Sequence, residues 1–297
     1  MSEHYTVSLN LLDESFNQFD AGNYGLSVVL NETMFSCCIL DFRRNKLLGL
    51  QKVVRNEVKQ TDVQTAGQSS PMMFFHELSK DIPWLSSQFR LVKIAFEGKK
   101  STLVPALLFD ADEKEHYFRF NFPVEKDEQV CADHLMPMDA WNVFAVPGSV
   151  LESVRAAFPK SKVVHSSSLL IESVWINYKN RINSPHVFLH VMENQFDLMI
   201  FDGRQLHYFN TFAFQNSEDV AYYLIFVLEQ LNFNPEKIPL VLIGNVEAGK
   251  ELPELLQRYV RQVETGRRNE AYHYSYVLNQ LPSQSFFPLL NFFSCGL

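Results

Sequence analysis

The feature that most constrains the fold of this chain is an internal repeat. Residues 26–41 align without gaps on residues 187–202, and each segment has two stretches rich in β-branched and aromatic residues around a short polar turn. This pattern predicts a β-hairpin, and its recurrence predicts two related halves in one chain. The alignment places identical residues together at Glu32/Glu193, Phe35/Phe196, Ile39/Ile200 and Asp41/Asp202.

A third strand is predicted after each hairpin, over residues 47–54 and 206–214. In the second half, acidic residues after Ser217 favour the start of a helix that continues to Leu231. We then predict a buried strand over 238–243, a helix over 252–263 and a last strand over 272–278. The predicted order of the second half is therefore βββαβαβ.

The first half repeats this outline less regularly. Its predicted elements after the third strand are a helix over 71–79, strands over 91–96, 117–122 and 142–146, a helix over 148–158, an extended segment over 162–165 and a helix over 169–178. Turn-forming residues near 180–185 then suggest a boundary. We predict an α/β protein with one lobe over residues 1–183, which includes the connecting helices, and a second lobe over residues 184–297.

A three-strand meander followed by α-β-α-β, occurring twice, resembles the actin-like superfamily, whose fold is ribonuclease H-like. The outline is also similar to an uncharacterised Bacteroidetes family with an actin-like ATPase fold, and to the actin-like proteins of pilus and secretion platforms. The segments 146–154 and 158–165 add to the likeness, because those proteins often place a helix and a strand there. The resemblance implies a duplicated actin-like fold with two βββαβαβ lobes and mixed sheets.

In active members of that superfamily, the first turn of each meander carries an Asp-x-Gly pattern that holds phosphates and positions a metal ion. In this sequence the Asp positions fall on Val29 and His190, and the Gly positions on Asn31 and Met192. An apolar valine cannot hold a hydrated cation, and a side chain at the glycine position hinders close approach of a phosphate to the backbone. We therefore expect binding rather than hydrolysis.

Few residues remain as candidates for contact with a nucleotide. The resemblance implies Asn31, Glu193 and Gly244, in the cleft between the lobes, and Gly244 stands where active members keep a Gly-Gly turn against adenosine. The segment 244–250 begins like a P-loop, but Glu251 replaces the Ser or Thr that would bind magnesium. ATP with magnesium is thus possible but not supported by motifs, and we predict no cofactor.

No catalytic or metal-binding set is predicted. His190 lies in an apolar strand, where a histidine is more often a hydrogen-bonded structural residue than a base or ligand. His76, Glu77 and His273 lack partners at zinc-binding spacing. The cysteines show neither a C-x-x-C pair nor the spacing of a disulfide framework, and we interpret them as reduced thiols.

Charge and hydropathy limit the partners. The formal net charge of −8, without a Lys/Arg cluster, argues against a nucleic-acid surface. No secretory signal is visible in the first residues, and the apolar stretch 221–228 is too short to span a bilayer, so we expect a cytoplasmic protein without membrane insertion. The apolar segment 286–293 must be buried in its own fold, in a second copy or in a partner, and self-burial is favoured.

These features predict a degenerate actin-like protein that acts as a non-hydrolysing binding or scaffold module, with a protein partner or a second copy of itself. The alternative is an ATPase or small-molecule kinase of the same superfamily with atypical phosphate loops. A third possibility is a different small ligand in the cleft between the lobes.

Overall fold

The computed structural model describes residues 5–56, 78–246 and 251–297, and the chain forms two compact units. Unit 1 contains residues 1–170, 270–280 and 288–297, and unit 2 contains residues 171–269 and 281–287. The sequence predicted two continuous lobes that meet after residue 183. The units differ from that division because the chain returns to unit 1 after residue 269.

The strands and helices are numbered here in chain order. The strands are β1 (Tyr5–Leu12), β2 (Tyr24–Leu30), β3 (Met34–Asp41), β4 (Lys46–Arg55), β5 (Leu91–Phe96), β6 (Ser101–Pro105), β7 (Glu128–Leu135), β8 (Ala140–Pro147), β9 (Val163–His165), β10 (His186–Val191), β11 (Gln195–Asp202), β12 (Gln205–Ala213), β13 (Leu240–Gly244), β14 (Val263–Thr265) and β15 (His273–Tyr274). The α-helices are α1 (Lys114–Arg119), α2 (Gly148–Ala157), α3 (Ser166–Tyr178), α4 (Ser217–Gln230), α5 (Leu252–Leu256) and α6 (Phe287–Asn291). Short 3₁₀ turns occupy Gln18–Asn23, Pro83–Ser86, Ala106–Leu108, Ala111–Glu113, Met136–Met138, Tyr276–Gln280 and Phe292–Ser294.

The main sheet of unit 1 has the strand order β1-β4-β3-β2-β5-β9, and β15 pairs with β4. β2 is antiparallel to β3 and parallel to β5, so the sheet is mixed. Residues 35–41 of β3 are all buried, as expected for a strand covered on both faces. The strands predicted over 47–54, 91–96 and 142–146 are confirmed as β4, β5 and β8. Of the predicted helix over 71–79, residues 71–77 lie outside the described residues, and residues 78–81 are helical.

A second sheet of unit 1, ordered β6-β8-β7, follows β5 in the chain. Its core contains Phe118 and Val143, both fully buried. The predicted strand over 117–122 is wrong, because this segment begins in helix α1. Phe118 lies in α1 and Phe122 follows its end; the Phe122 N–H donates to the Phe118 carbonyl at 3.0 Å, and the two ring centroids lie 5.4 Å apart. Arg119 adds an ion pair with Glu115, at an Nη2–Oε1 distance of 2.6 Å.

The sheet of unit 2 has the order β12-β11-β10-β13-β14. Its element order is βββαβαβ, as predicted, but its last strand is Val263–Thr265 rather than residues 272–278. Polar Glu264 and Thr265 suit this position, because β14 is an edge strand with exposed side chains. In the predicted strand over 272–278, only β15 is extended, and it pairs with β4 in unit 1.

The two meanders share one register. Val29 faces Ser36 across β2 and β3, and His190 faces Asp197 at the aligned positions of β10 and β11. Each first strand also pairs in parallel with the next strand of its sheet, as Val29 with Ala95 and His190 with Ile243. The gapless sequence alignment therefore corresponds to equivalent backbone positions.

The apolar C-terminal segment is buried in its own chain, as the sequence favoured. Leu289, Leu290 and Phe292 have little exposed surface. The Leu289 carbonyl accepts a hydrogen bond from the Ser27 hydroxyl at 3.2 Å, and the Cys295 carbonyl accepts one from Lys93 Nζ at 2.7 Å. These contacts fix the last residues to β2 and β5 of unit 1.

Candidate functional site

The first turn of unit 1 is closed by the side chain of Asn31. Its Oδ1 accepts hydrogen bonds from the backbone N–H groups of Thr33 and Met34 at 2.8 and 2.7 Å, and its Nδ2 donates to Glu97 Oε2 at 3.2 Å. The Asn31 N–H donates to the Met34 carbonyl at 2.9 Å. Three amides that such a turn could offer to a phosphate, those of residues 31, 33 and 34, are therefore already bonded within the protein.

The strand before this turn carries no carboxylate at the aligned acidic position. Val29 is half-buried between Ser36 on β3 and Ala95 on β5. Ser36 is itself buried, and its hydroxyl lies 2.9 Å from Met34 Sδ. None of these three side chains is a ligand for magnesium, which prefers carboxylate oxygens.

In unit 2 the aligned acidic position is a histidine with a carboxylate partner. His190 Nδ1 lies 3.1 Å from Asp197 Oδ2. Asp197 Oδ1 accepts a hydrogen bond from the Thr211 hydroxyl at 2.6 Å. The carboxylate is thus used by two neighbours and is buried, so it is not available to a hydrated metal ion. The expectation that His190 is a hydrogen-bonded structural residue agrees with this geometry.

The sequence did not single out Asp197 or Thr211. Asp197 could have been found from the hairpin register, since a turn that closes between Val191 and Gln195 places it opposite His190. Thr211 follows from the next strand, because β12 places it opposite Asp197. The sequence feature that could have identified both residues is the presence of polar residues at facing positions of three adjacent strands.

The second turn differs from the first in its side chains. The Met192 N–H donates to the Gln195 carbonyl at 2.9 Å, which is the same closure as in the first turn. Gln195 Nε2 lies 3.7 Å from Met192 Sδ, so the thioether lies beside the turn. Glu193 is exposed, and no contact of its carboxylate is seen within the described part of the chain.

Gly244 is required by its surroundings within unit 2. It has a φ of +84°, and a Cβ there would lie 2.3 Å from the Val191 carbonyl oxygen and 2.8 Å from His190 Cδ2. Its N–H donates to the Gln284 carbonyl at 2.9 Å. Backbone conformation and packing against His190 therefore account for glycine at this position without a nucleotide.

The predicted site residues fall in different units. Asn31 lies in unit 1, whereas Glu193 and Gly244 lie in unit 2. The structure brings Gly244 together with His190, through the parallel pairing of β10 and β13. Gly249 and Lys250, which completed the P-loop-like segment, lie outside the described residues.

The adjacent thiols of β3 are not reactive groups. Cys37 and Cys38 are fully buried. Burial raises the pKa of Cys37 to about 12 and raises that of Cys38 as well, so neither forms a thiolate near neutral pH. Both are free thiols that pack in the sheet, as the sequence suggested.

Comparison with known proteins identifies the family. The family described as "Protein of unknown function (DUF3822)" matches residues 13–263, which is most of the chain. The chain belongs to the DUF3822 family. None of the curated protein sequences is significantly similar to it.

Solved structures show the fold of this DUF3822 protein. It is similar to a Bacteroides thetaiotaomicron protein with an actin-like ATPase fold and unknown function, with 25% identity and a TM-score of 0.71 over 84% of this chain and 93% of that one. It is also similar to a chain of the PilM-PilN type IV pilus biogenesis complex, with 12% identity and a TM-score of 0.57 over 90% of this chain and 96% of that one. The actin-like fold expected from the repeat is confirmed.

Proposed function

We propose that this DUF3822 protein is an actin-like binding module that holds a protein partner and does not hydrolyse nucleotide. The observation that carries the proposal is the state of the two turns. In one, Asn31 bonds the turn amides and Val29 replaces the acid; in the other, His190 and Thr211 occupy the Asp197 carboxylate.

Phosphoryl transfer depends on groups that hold the phosphates and on a metal ion that neutralises their charge. Amides already bonded inside a turn would have to break those bonds to bind phosphate. In the second hairpin, the carboxylate of Asp197 is hydrogen-bonded to His190 and Thr211. Neither first strand carries an acid at the aligned position, where Val29 and His190 stand, and the first-turn amides of residues 31, 33 and 34 are already bonded.

The likeness to the PilM-PilN complex supports a protein partner, since that structure holds a chain of this fold together with another protein. The matched register of the two meanders supports an origin by internal duplication. Among the helices of the described residues, none has the length and hydropathy to cross a bilayer. We place the protein in the cytoplasm, with no nucleic acid as its main partner.

Phosphate release from Mg·ATP and Mg·GTP, measured with the purified full chain, tests the proposal. We expect release at the level of buffer and no heat of binding in calorimetry. Steady turnover that is lost in the Glu193→Gln variant but kept in Glu152→Gln would instead establish the alternative, an ATPase or kinase that uses Asn31, Glu193 and Gly244. Glu152 is a suitable control because it is an exposed glutamate on helix α2 of unit 1.

A further inference from the structure

An apolar groove lies on the outer face of unit 2, between helices α4 and α5. Its volume is about 300 Å³. One side is formed by Tyr222, Ile225 and Phe226 of α4, and the other by Leu255 and Tyr259. The opposite face of α4 already packs against the sheet, through buried residues that include Val220, Leu224 and Leu228. Ile225 and Leu255 also pack against this core, so the exposed aromatic surface of the groove is formed by Tyr222, Phe226 and Tyr259.

The aromatic side chains of the groove are unusually exposed for their size. Tyr222 is 64% exposed, Phe226 47% and Tyr259 49%. The rings of Tyr222 and Phe226 are nearly parallel, at a centroid distance of 6.2 Å and an angle of 17°. A contiguous set of exposed aromatic residues of this kind is typical of interaction surfaces, where burial of large rigid rings supplies much of the binding energy.

Both ends of the groove are acidic. Glu218 lies at the start of α4 and Glu229 near its end, and both line the groove. The two glutamates are eleven residues apart, a spacing that corresponds to about 16 Å along the helix and places both on nearly the same face. Within the described residues, neither carboxylate forms an ion pair, and no basic side chain lines the groove. The groove therefore presents two negative charges about 16 Å apart, with an aromatic surface between them.

We infer that this groove binds one amphipathic helical segment of a partner protein, with apolar side chains in the groove and Lys or Arg near Glu218 and Glu229. This inference rests on the proposed function as a protein-binding module, and it names the chemistry of the partner. A helix of three turns has the length that separates the two acids. The basic residues gain ion pairs at both ends and contact with the rings of Tyr222 and Tyr259.

Other occupants fit less well. Two copies of this chain packed through α4 would bring carboxylate against carboxylate in either direction, and like charges in contact oppose association. A small molecule needs a concave site that buries most of its surface, whereas the aromatic side chains here are about half exposed. An added β-strand needs free backbone donors and acceptors, which helical walls do not offer.

The experiment is a selection of 16-residue peptides from a randomised phage library against the immobilised full-length protein. We expect enrichment of peptides with apolar residues at helical spacing between Lys or Arg residues about eleven positions apart. A parallel selection on Glu229→Lys should favour an acidic residue at one end of the peptide, and Glu152→Lys should select as wild type does. Lack of enrichment, or the same selection on Glu229→Lys, would overturn the inference.

Affinity measurements on the best peptide give a second readout. Phe226→Ala should weaken the Kd by about tenfold or more, whereas Phe19→Ala, which removes an even more exposed phenylalanine from unit 1, should change it by less than about twofold. Equal effects of the two variants would contradict the inference. Circular dichroism melts of each variant separate loss of binding from loss of folding. Nucleotide turnover would refute the proposed function without affecting this result, and failed peptide selection would leave the nucleotide result unchanged.

Discussion

Replacement of Gly244 by alanine is expected to destabilise unit 2 strongly. The new Cβ would meet the Val191 carbonyl oxygen at 2.3 Å and His190 Cδ2 at 2.8 Å, so the backbone must move. The φ of +84° adds strain for any residue with a Cβ. Backbone strain of about 1–2 kcal/mol and a steric cost of about 1–3 kcal/mol together predict a loss of about 2–5 kcal/mol.

Gly203→Ala is a matched control that measures the backbone strain without the steric contacts. Gly203 also has a positive φ, of +57°, but nothing lies within 4 Å of the position of its Cβ. This variant should therefore lose only about 1–2 kcal/mol. The double variant Gly244→Ala/His190→Ala should remain unstable, because removal of the ring leaves the contact with the Val191 carbonyl.

Urea unfolding followed by circular dichroism measures these differences, with the three variants and wild type compared at the same pH. The expected order of stability is wild type, then Gly203→Ala, then Gly244→Ala. If Gly244→Ala were as stable as Gly203→Ala, the structural explanation of Gly244 would be refuted, and a role in ligand contact would regain support.

Three further predictions concern stability. Burial favours the neutral form of Asp13, but hydrogen bonds from Lys46 and Ser275 outweigh it and hold its pKa well below the usual range, so Asp13→Asn should cost about 2 kcal/mol at pH 7. A lowered carboxyl pKa stabilises the fold above about pH 4, and this stability is lost as the pH falls further. The difference in urea midpoint between wild type and Asp13→Asn should therefore be smaller at pH 3 than at pH 7. A difference that does not change with pH would contradict this prediction. Asp133 is buried, which raises its pKa, and its carboxylate accepts a hydrogen bond from the His165 N–H at 2.7 Å. Asp133→Ala should therefore lower the free energy of unfolding by about 2–3 kcal/mol, and Asp133→Asn by less. Equal losses in the two variants would exclude the hydrogen bond as the cause. Asn31→Ala should lower the melting temperature by an amount equivalent to about 1 kcal/mol without creating ATP binding, and unchanged stability would show that its turn hydrogen bonds contribute nothing.

Much of the fold could be predicted because the alignment of the two repeats fixes which residues of each hairpin are equivalent. Once residues 26–41 are aligned on 187–202, each hairpin supports the assignment of the other, and the strands of both hairpins match those predicted. The helix at 114–119 was missed because a short run of aromatic residues fits the period of a strand as well as that of a helix. Tertiary packing decides between them, since Phe118 and Phe122 meet in the core of the small sheet.

The sequence shows which phosphate-binding residues the candidate site lacks, but it does not show the contacts of the residues that replace them. The absence of an acid at residue 29 and of glycine at residues 31 and 192 is visible in the sequence. That Asn31 bonds the turn amides, and that His190 lies against Gly244, depends on side-chain direction and on pairing between strands distant in sequence. The groove on α4 was hidden for a related reason, since an apolar stretch does not reveal which of its residues remain exposed.

The central claim, that the phosphate loops no longer bind nucleotide, is tested most directly by thermal unfolding of the full chain with and without 1 mM Mg·ATP. A site with a Kd of about 10 μM would stabilise the protein by about 2.7 kcal/mol, which corresponds to a rise in Tm of roughly 5–10 °C. We predict a change in Tm below about 1 °C. A rise of several degrees that depends on magnesium would contradict the claim.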